Sequence, residues 1–330
     1  MHRITSLFYT AQACLLLALT ALCTTCSTKE ATPEPAEPVK NFFTKLIEIV
    51  EQNSINRRKV DWAAYKAQVW AKVGAAKTVP ETEGAMTLAL ALLKDNHSAI
   101  IVDNKRTLYG GIGCQRPLPL TPPLTFTSIG YVEVIGFNGS GQEAINFAQA
   151  VQNDIIRQDS KDLKGWIVDL RRNTGGSMYP MIAGLGPLIG EGICGYFYDA
   201  EDKPIASYAY QQGASLLSQR TIVKVDRPYK LINESGKVAV LINGTTASSG
   251  EATAIAFAGR PSTRFFGAAS CGVSTGNTVY DLPFYGYKLN LFTANMGDRT
   301  GKIYGREIMP DEVITDDQVI AKAVNWLNSR

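Results

Sequence analysis

Apolar residues recur along this chain in two rhythms, and the change of rhythm divides it. Phe42, Phe43, Leu46, Ile47, Ile49 and Val50 fall at helical spacing, as do Trp62, Tyr65 and Val69 behind Asp61, a residue of N-cap type. Met86, Leu88, Leu90, Leu92 and Leu93 form a third stripe ahead of His97. Residues 40–97 are therefore expected to form a small helical unit. From Ile100 the pattern turns to short β-like runs with Pro117, Pro119, Pro122 and Pro123 between them. Beyond Ile129, apolar runs of strand length alternate with helical stripes. That pattern predicts an α/β core within residues 98–330.

Two of the strand-to-helix junctions have unusual composition. In Lys237–Glu251 an apolar run enters a turn of small residues, and the helix that follows runs from Glu251 to Ala258, stops at Gly259 and has Pro261 just beyond. Ser248 thus falls at a helix N-terminus, where unpaired N–H groups and the positive end of the macrodipole favour an alkoxide or an oxyanion. An ordinary serine N-cap has the same appearance. In Lys164–Ser177 a second apolar run breaks at Gly175 and Gly176 before the helical stretch Met178–Leu188. A glycine pair lets backbone N–H groups approach a substrate oxygen, and it also serves a tight turn that needs positive φ. In a parallel sheet both junctions lie at one edge, where α/β sites form.

These junctions occur within a longer series: Ile129–Val134, Gly165–Gly176, Val240–Glu251, Gly259–Gly267 and Ile308–Asp311. In that order they resemble the C-terminal processing (tail-specific) and tricorn-type serine peptidases, a group that includes interphotoreceptor retinoid-binding protein. The resemblance implies a ClpP/crotonase-like ββα-spiral core of α/β class, preceded here by the helical subdomain. It implies that the nucleophile is the third residue before the helix-opening glutamate, hence Ser248 and not Ser249. It also implies an oxyanion hole formed by the backbone N–H groups of Gly176 and Ser249. About thirty residues separate His97 from Ile129, too few for the PDZ domain of many tail-specific members.

One departure from the pattern directs the choice of base. Tail-specific members carry a lysine where Val273 stands in this sequence, so the serine–lysine dyad is absent. Tricorn-type members use a histidine, and this chain has two, one of which, His2, lies in an N-terminal targeting segment. His97, in Leu93–Ser98, resembles the Asp-x-His-Ser/Thr element of the histidine-using branch, and imidazole titrates where a base is needed at neutral pH. A base histidine needs an acceptor on its second nitrogen. Family spacing points near Glu307; Asp298 is the rival, and Ser98 is placed to relay between the acid and His97. Each carboxylate is equally compatible with a solvated loop or an arginine partner.

Composition sets the remaining bounds. The 330 residues are 45% hydrophobic and 19% charged with net charge +3, an ordinary globular balance. No basic cluster is interleaved with aromatics, so nucleic acid is not an expected partner. One mature histidine and no paired cysteine spacing provide no zinc site, and no cofactor is expected. Arg3 precedes an apolar run from Ala11 to Cys23 of export-signal length. Small residues then lead to Cys26, followed by a Pro-rich tether, the arrangement of a bacterial lipoprotein start. Cys23 is the second choice for lipidation, and plain secretion the alternative. The division expected is a signal at 1–26, a linker at 27–39, the helical subdomain at 40–97 and the catalytic core at 98–330. Cys114, Cys194 and Cys271 allow at most one internal disulfide.

The expectation is an exported serine endopeptidase of the cell envelope, membrane-bound through lipid on Cys26 and acting on peptides or proteins. Two other readings of the same fold are a non-catalytic binder of peptides or apolar ligands and an esterase.

Overall fold

The computed structural model describes residues 34–111, 113–114 and 126–329. The signal, Cys23, Cys26 and the proline cluster at 117–123 lie outside the described residues. Three helices open the described chain: α1 (Glu37–Asn53), α2 (Trp62–Val73) and α3 (Glu83–Leu92). The first begins inside the stretch expected to be linker, because Pro38 sits in its first turn, where a missing N–H loses no hydrogen bond. Asp61 caps α2 as its type predicts, accepting from Ala64 N at 3.1 Å.

A hairpin of β1 (Ala99–Val102) and β2 (Arg106–Tyr109) follows. The core then alternates β3 (Gly130–Glu133), α4 (Gly141–Gln158), β4 (Gly165–Asp169) and α5 (Met178–Ile189). Next comes a meander of β5 (Gly192–Tyr198), β6 (Pro204–Gln211), β7 (Ala214–Leu217) and β8 (Arg220–Lys224). The chain returns to β9 (Lys237–Ile242), α6 (Ser249–Ile255) and β10 (Thr263–Gly267). It ends with the long pair β11 (Thr275–Asp281) and β12 (Lys288–Asp298), the short β13 (Glu312–Val313), and α7 (Val319–Asn328).

Five strands form one parallel sheet in the order β13-β10-β9-β4-β3. Both faces of its centre are covered, which is why β4 and β9 read as unbroken apolar runs. Ile167, Ala239, Leu241 and Phe266 pack on α7, while Trp166, Val168, Val240 and Ile242 pack on the side of α5 and α6. The remaining strands build an antiparallel sheet, β2-β1-β12-β5-β6-β7-β8, with β11 also paired to β12. The helical unit does not stand apart from it. Phe42, Phe43 and Leu46 share one buried cluster with Tyr287, Leu289 and Leu291. His97, between α3 and β1, is thereby fastened to the antiparallel sheet, and the two junctions containing Gly176 and Ser248 sit on the edge of the parallel one.

Candidate active site

Ser248 has φ +52° and ψ −116°, a conformation non-glycine residues rarely adopt, and it immediately precedes α6. Such a backbone stores about 1–3 kcal/mol, which the surrounding bonds must over-determine. Those bonds are present. Ala247 N donates to Asn173 O at 3.0 Å, and Gly175 N donates to the Asn173 side chain at 3.0 Å, so buried Asn173 ties the two junctions together. Ser248 N donates to Glu251 at 2.9 Å, the backbone half of a capping box.

The glycine pair has a steric reason. Gly176 has φ +113°, and a Cβ there would lie 2.1 Å from the Phe137 carbonyl oxygen. At Gly175 a Cβ would meet the Ala247 carbonyl at 2.9 Å and Ser248 Cβ at 3.0 Å. Only a residue without a side chain allows the two turns to touch. Among the described residues, neither Gly176 N nor Ser249 N has a hydrogen-bond acceptor. The Ser249 hydroxyl itself is spent, donating to Gly176 O.

His97 is held at the same cavity by a short turn. Asp95 accepts from His97 N at 3.1 Å, Ser98 N at 2.6 Å and Ser98 Oγ at 2.9 Å, and Ser98 Oγ accepts in turn from Phe292 N at 3.0 Å on β12. The Asp-x-His-Ser element therefore folds the loop and fastens it to the sheet. Ser98 is engaged in that task and does not touch the imidazole, contrary to the relay expected of it.

The ring is oriented by Thr275, whose Oγ1 is hydrogen-bonded to His97 Nδ1. Val273 O and Asn277 Oδ1 each lie 3.4 Å from that hydroxyl and can take its proton. With its proton on either of these, Thr275 accepts from Nδ1–H, the tautomer in which Nε2 keeps a free lone pair. No carboxylate among the described residues is paired with the ring. Asp298 is buried in a turn of its own, accepting from Thr300 N and Oγ1, Lys302 N and Tyr304 Oη. Glu307 is exposed and packs against Gly272. Both carboxylates expected as the orienting acid are thus replaced at the ring by a neutral hydroxyl. Burial pushes the imidazole, whose ring has no bonded carboxylate, down to about 4, so it is neutral at physiological pH.

Ser248, Ser249, Gly176, His97 and Thr275 line one cavity of about 510 Å³. Its other walls mix apolar Met178, Tyr179, Phe197, Leu217 and Met296 with polar Asn277, Thr278, Asn290 and Thr293. A strained serine at a helix start, a neutral imidazole and two free N–H groups around one cavity are the parts required for acyl transfer.

Glu251 and Thr275 were not among the candidates from sequence. Glu251 is fully buried and accepts from Ser248 N, Val273 N and Gly272 N, each at 2.9 Å, and from Ser270 Oγ. Burial pushes its carboxyl up to about 7 against the pull of those donors. The signal was available: a charge in the helix Glu251–Ala258, which has no polar face, has to be buried and therefore bonded. Cys271, in the loop where the lysine of the sister branch resides, is joined to Cys114, and Cys194 is a buried free thiol. The described residues contain no cluster suited to a metal ion.

Residues 128–314 match the model of peptidase family S41. The matched segment holds both junctions, whereas His97 precedes it. A nisin-resistance protein of Lactococcus lactis subsp. lactis is 32% identical over 198 residues, covering 59% of this chain and 58% of that one. The likeness thus spans less than two thirds of that relative's length. Among solved structures, a lipoprotein from Streptococcus agalactiae superposes with TM-score 0.68 at 22% identity, covering 90% of this chain and 98% of that one. The photosystem II D1 C-terminal processing protease does so with TM-score 0.55 at 14% identity, over 89% and 98%. Both share the fold, N-terminal helices included.

Proposed function

We propose that this chain, which belongs to peptidase family S41, hydrolyses peptide bonds through an acyl-enzyme on Ser248. In this reading His97 Nε2 removes the Ser248 proton and later delivers it to the leaving amine. Thr275 holds the ring, and Gly176 N and Ser249 N receive the oxyanion. The observation that carries it is the cavity shared by the positive-φ Ser248, the Thr275-bonded His97 and the two free N–H groups. The apolar part of its wall favours acyl-side residues with apolar side chains.

The export-type N-terminus with Cys26 supports a lipid-anchored protein of the cell envelope, and the likeness to a Streptococcus agalactiae lipoprotein agrees with it. The similarity to a nisin-resistance protein makes nisin the first peptide to try as a substrate. A fluorophosphonate tests the chemistry, since it reacts with an activated serine. The adduct is expected on Ser248, to vanish in Ser248→Ala and to persist in Ser249→Ala. An adduct on Ser249 moves the nucleophile there and refutes the assignment; none on the folded wild type refutes it in favour of a non-catalytic binding protein.

A further inference from the structure

We propose that Glu251 is a positioning residue for the reaction: its carboxylate holds the Ser248 elbow in register with the strand that orients His97. The inference rests on the Ser248–His97 reading above. Ser248 and His97 stand on different elements, α6 and the α3–β1 turn, so their alignment depends on what joins them. One carboxylate oxygen accepts from both Ser248 N and Val273 N, and the other from Gly272 N and Ser270 Oγ. Two of the four donors follow Cys271 directly, and two residues after Val273 the chain reaches Thr275, the residue bonded to His97. A bonded path thus runs from the backbone of Ser248 through Glu251 and Val273 to Thr275 and the imidazole.

The far side of this path has anchors of its own. Cys271 is disulfide-bonded to Cys114; its N–H also donates to Thr246 O at 2.9 Å, a backbone link from the loop to the elbow turn that runs beside Glu251. Ser270 Oγ accepts from Ile308 N at 2.7 Å, and Ser274 Oγ donates to Arg306 O at 2.6 Å. Glu251 therefore connects the elbow to a loop that is itself fixed. A glutamate at the third position of a helix that only capped it would satisfy the N-cap N–H and face solvent. This one is fully buried, and three of its four donors belong to another element.

Glu251→Gln is the sharp perturbation, since it keeps shape and replaces one acceptor oxygen with a donor. Ser270 can turn its hydroxyl to accept from the new amide; Gly272 N cannot, and is left facing N–H. The expected result is a fall in kcat of about tenfold to a hundredfold with KM within about twofold. The fluorophosphonate labelling rate should fall by the same factor, because labelling needs Ser248 and His97 aligned but no peptide subsite. Ser270→Ala, which deletes one donor on the loop side, should show a smaller loss of the same kind and serves if the glutamine variant does not fold. Wild-type labelling and turnover in folded variants overturn the proposal, as does a loss that appears only as reduced melting temperature or raised KM. A wild type that fails to label at Ser248 instead refutes the proposed chemistry itself.

Discussion

The pH dependence of turnover distinguishes this site from a serine triad with a carboxylate behind the histidine. Two groups must be in their working forms, His97 neutral and Glu251 ionised. Burial lowers the first to about 4 and raises the second to about 7. At pH 5.5 an imidazole titrating at about 4 is about 97% neutral, whereas one at its ordinary value of about 6.5 is only about 9% neutral. Glu251 at pH 6 is about 9% ionised. Wild-type kcat/KM should therefore fall below pH 7 as Glu251 takes up a proton, reach a lower shelf, and fall again near pH 4 when His97 charges. This differs from the single limb between 6 and 7 that a lone catalytic imidazole suggests from sequence.

The assay is kcat/KM on a fluorogenic peptide from about pH 4 to 9 at constant ionic strength, with fluorophosphonate labelling as a substrate-free check. Glu251→Gln should remove the upper limb and track the low-pH shelf of the wild type. The Glu251 carboxylate faces no charged side chain among its bonded partners; the exposed Glu307 lies across Gly272 from it. A single limb near 6.5 in both wild type and Glu251→Gln would refute the reasoning, because His97 would then titrate as an ordinary solvated imidazole. Stability follows the same shifts. For His97 the unfolded chain binds the extra proton between about 6.5 and 4, so the protein loses stability as pH falls through that window. For Glu251 the folded chain binds it between about 4.5 and 7, so stability is lost as pH rises through that range. His97→Gln should accordingly make melting temperature less sensitive to acid.

The disulfide spans 157 positions of sequence, and closing so long a loop constrains the unfolded chain by up to about 5 kcal/mol. Cys114→Ser should lower the denaturant midpoint measured without reductant, and an unchanged midpoint would show that the bond does not restrain the unfolded state. A palmitate analogue supplied to growing cells should label the wild type and not Cys26→Ser; label that survives there and is lost in Cys23→Ser moves the anchor upstream.

What could be read from the sequence was what backbone chemistry marks locally. Gly175–Gly176 and the small-residue turn before Glu251 announce two junctions, because contact between them excludes side chains. Strands buried on both faces announce a parallel sheet by their unbroken apolar runs. The partner of His97 could not be read in this way. Thr275 lies 178 positions away and arrives through the pairing of β11 with β12, and a threonine in a strand has no spacing that sets it apart. A carboxylate is the usual partner of a base histidine, whereas here a hydroxyl orients the buried imidazole and leaves its pKa low.

Glu251 was visible for the opposite reason, as the glutamate that counts back to Ser248, and its own chemistry lay in the residues after it. Ala252–Ala258 offer no polar face, so the carboxylate cannot turn to solvent without turning the helix. It must meet donors inside the protein, and the donors that surround it are backbone N–H groups of the elbow and of the Cys271 loop. The charge costs desolvation, and that cost is offset only while both segments stay in place. The same burial that raises this carboxyl therefore couples its ionisation to the geometry of the site: protonate it, and the oxygen that carries the proton presents a donor to an N–H group it previously accepted from.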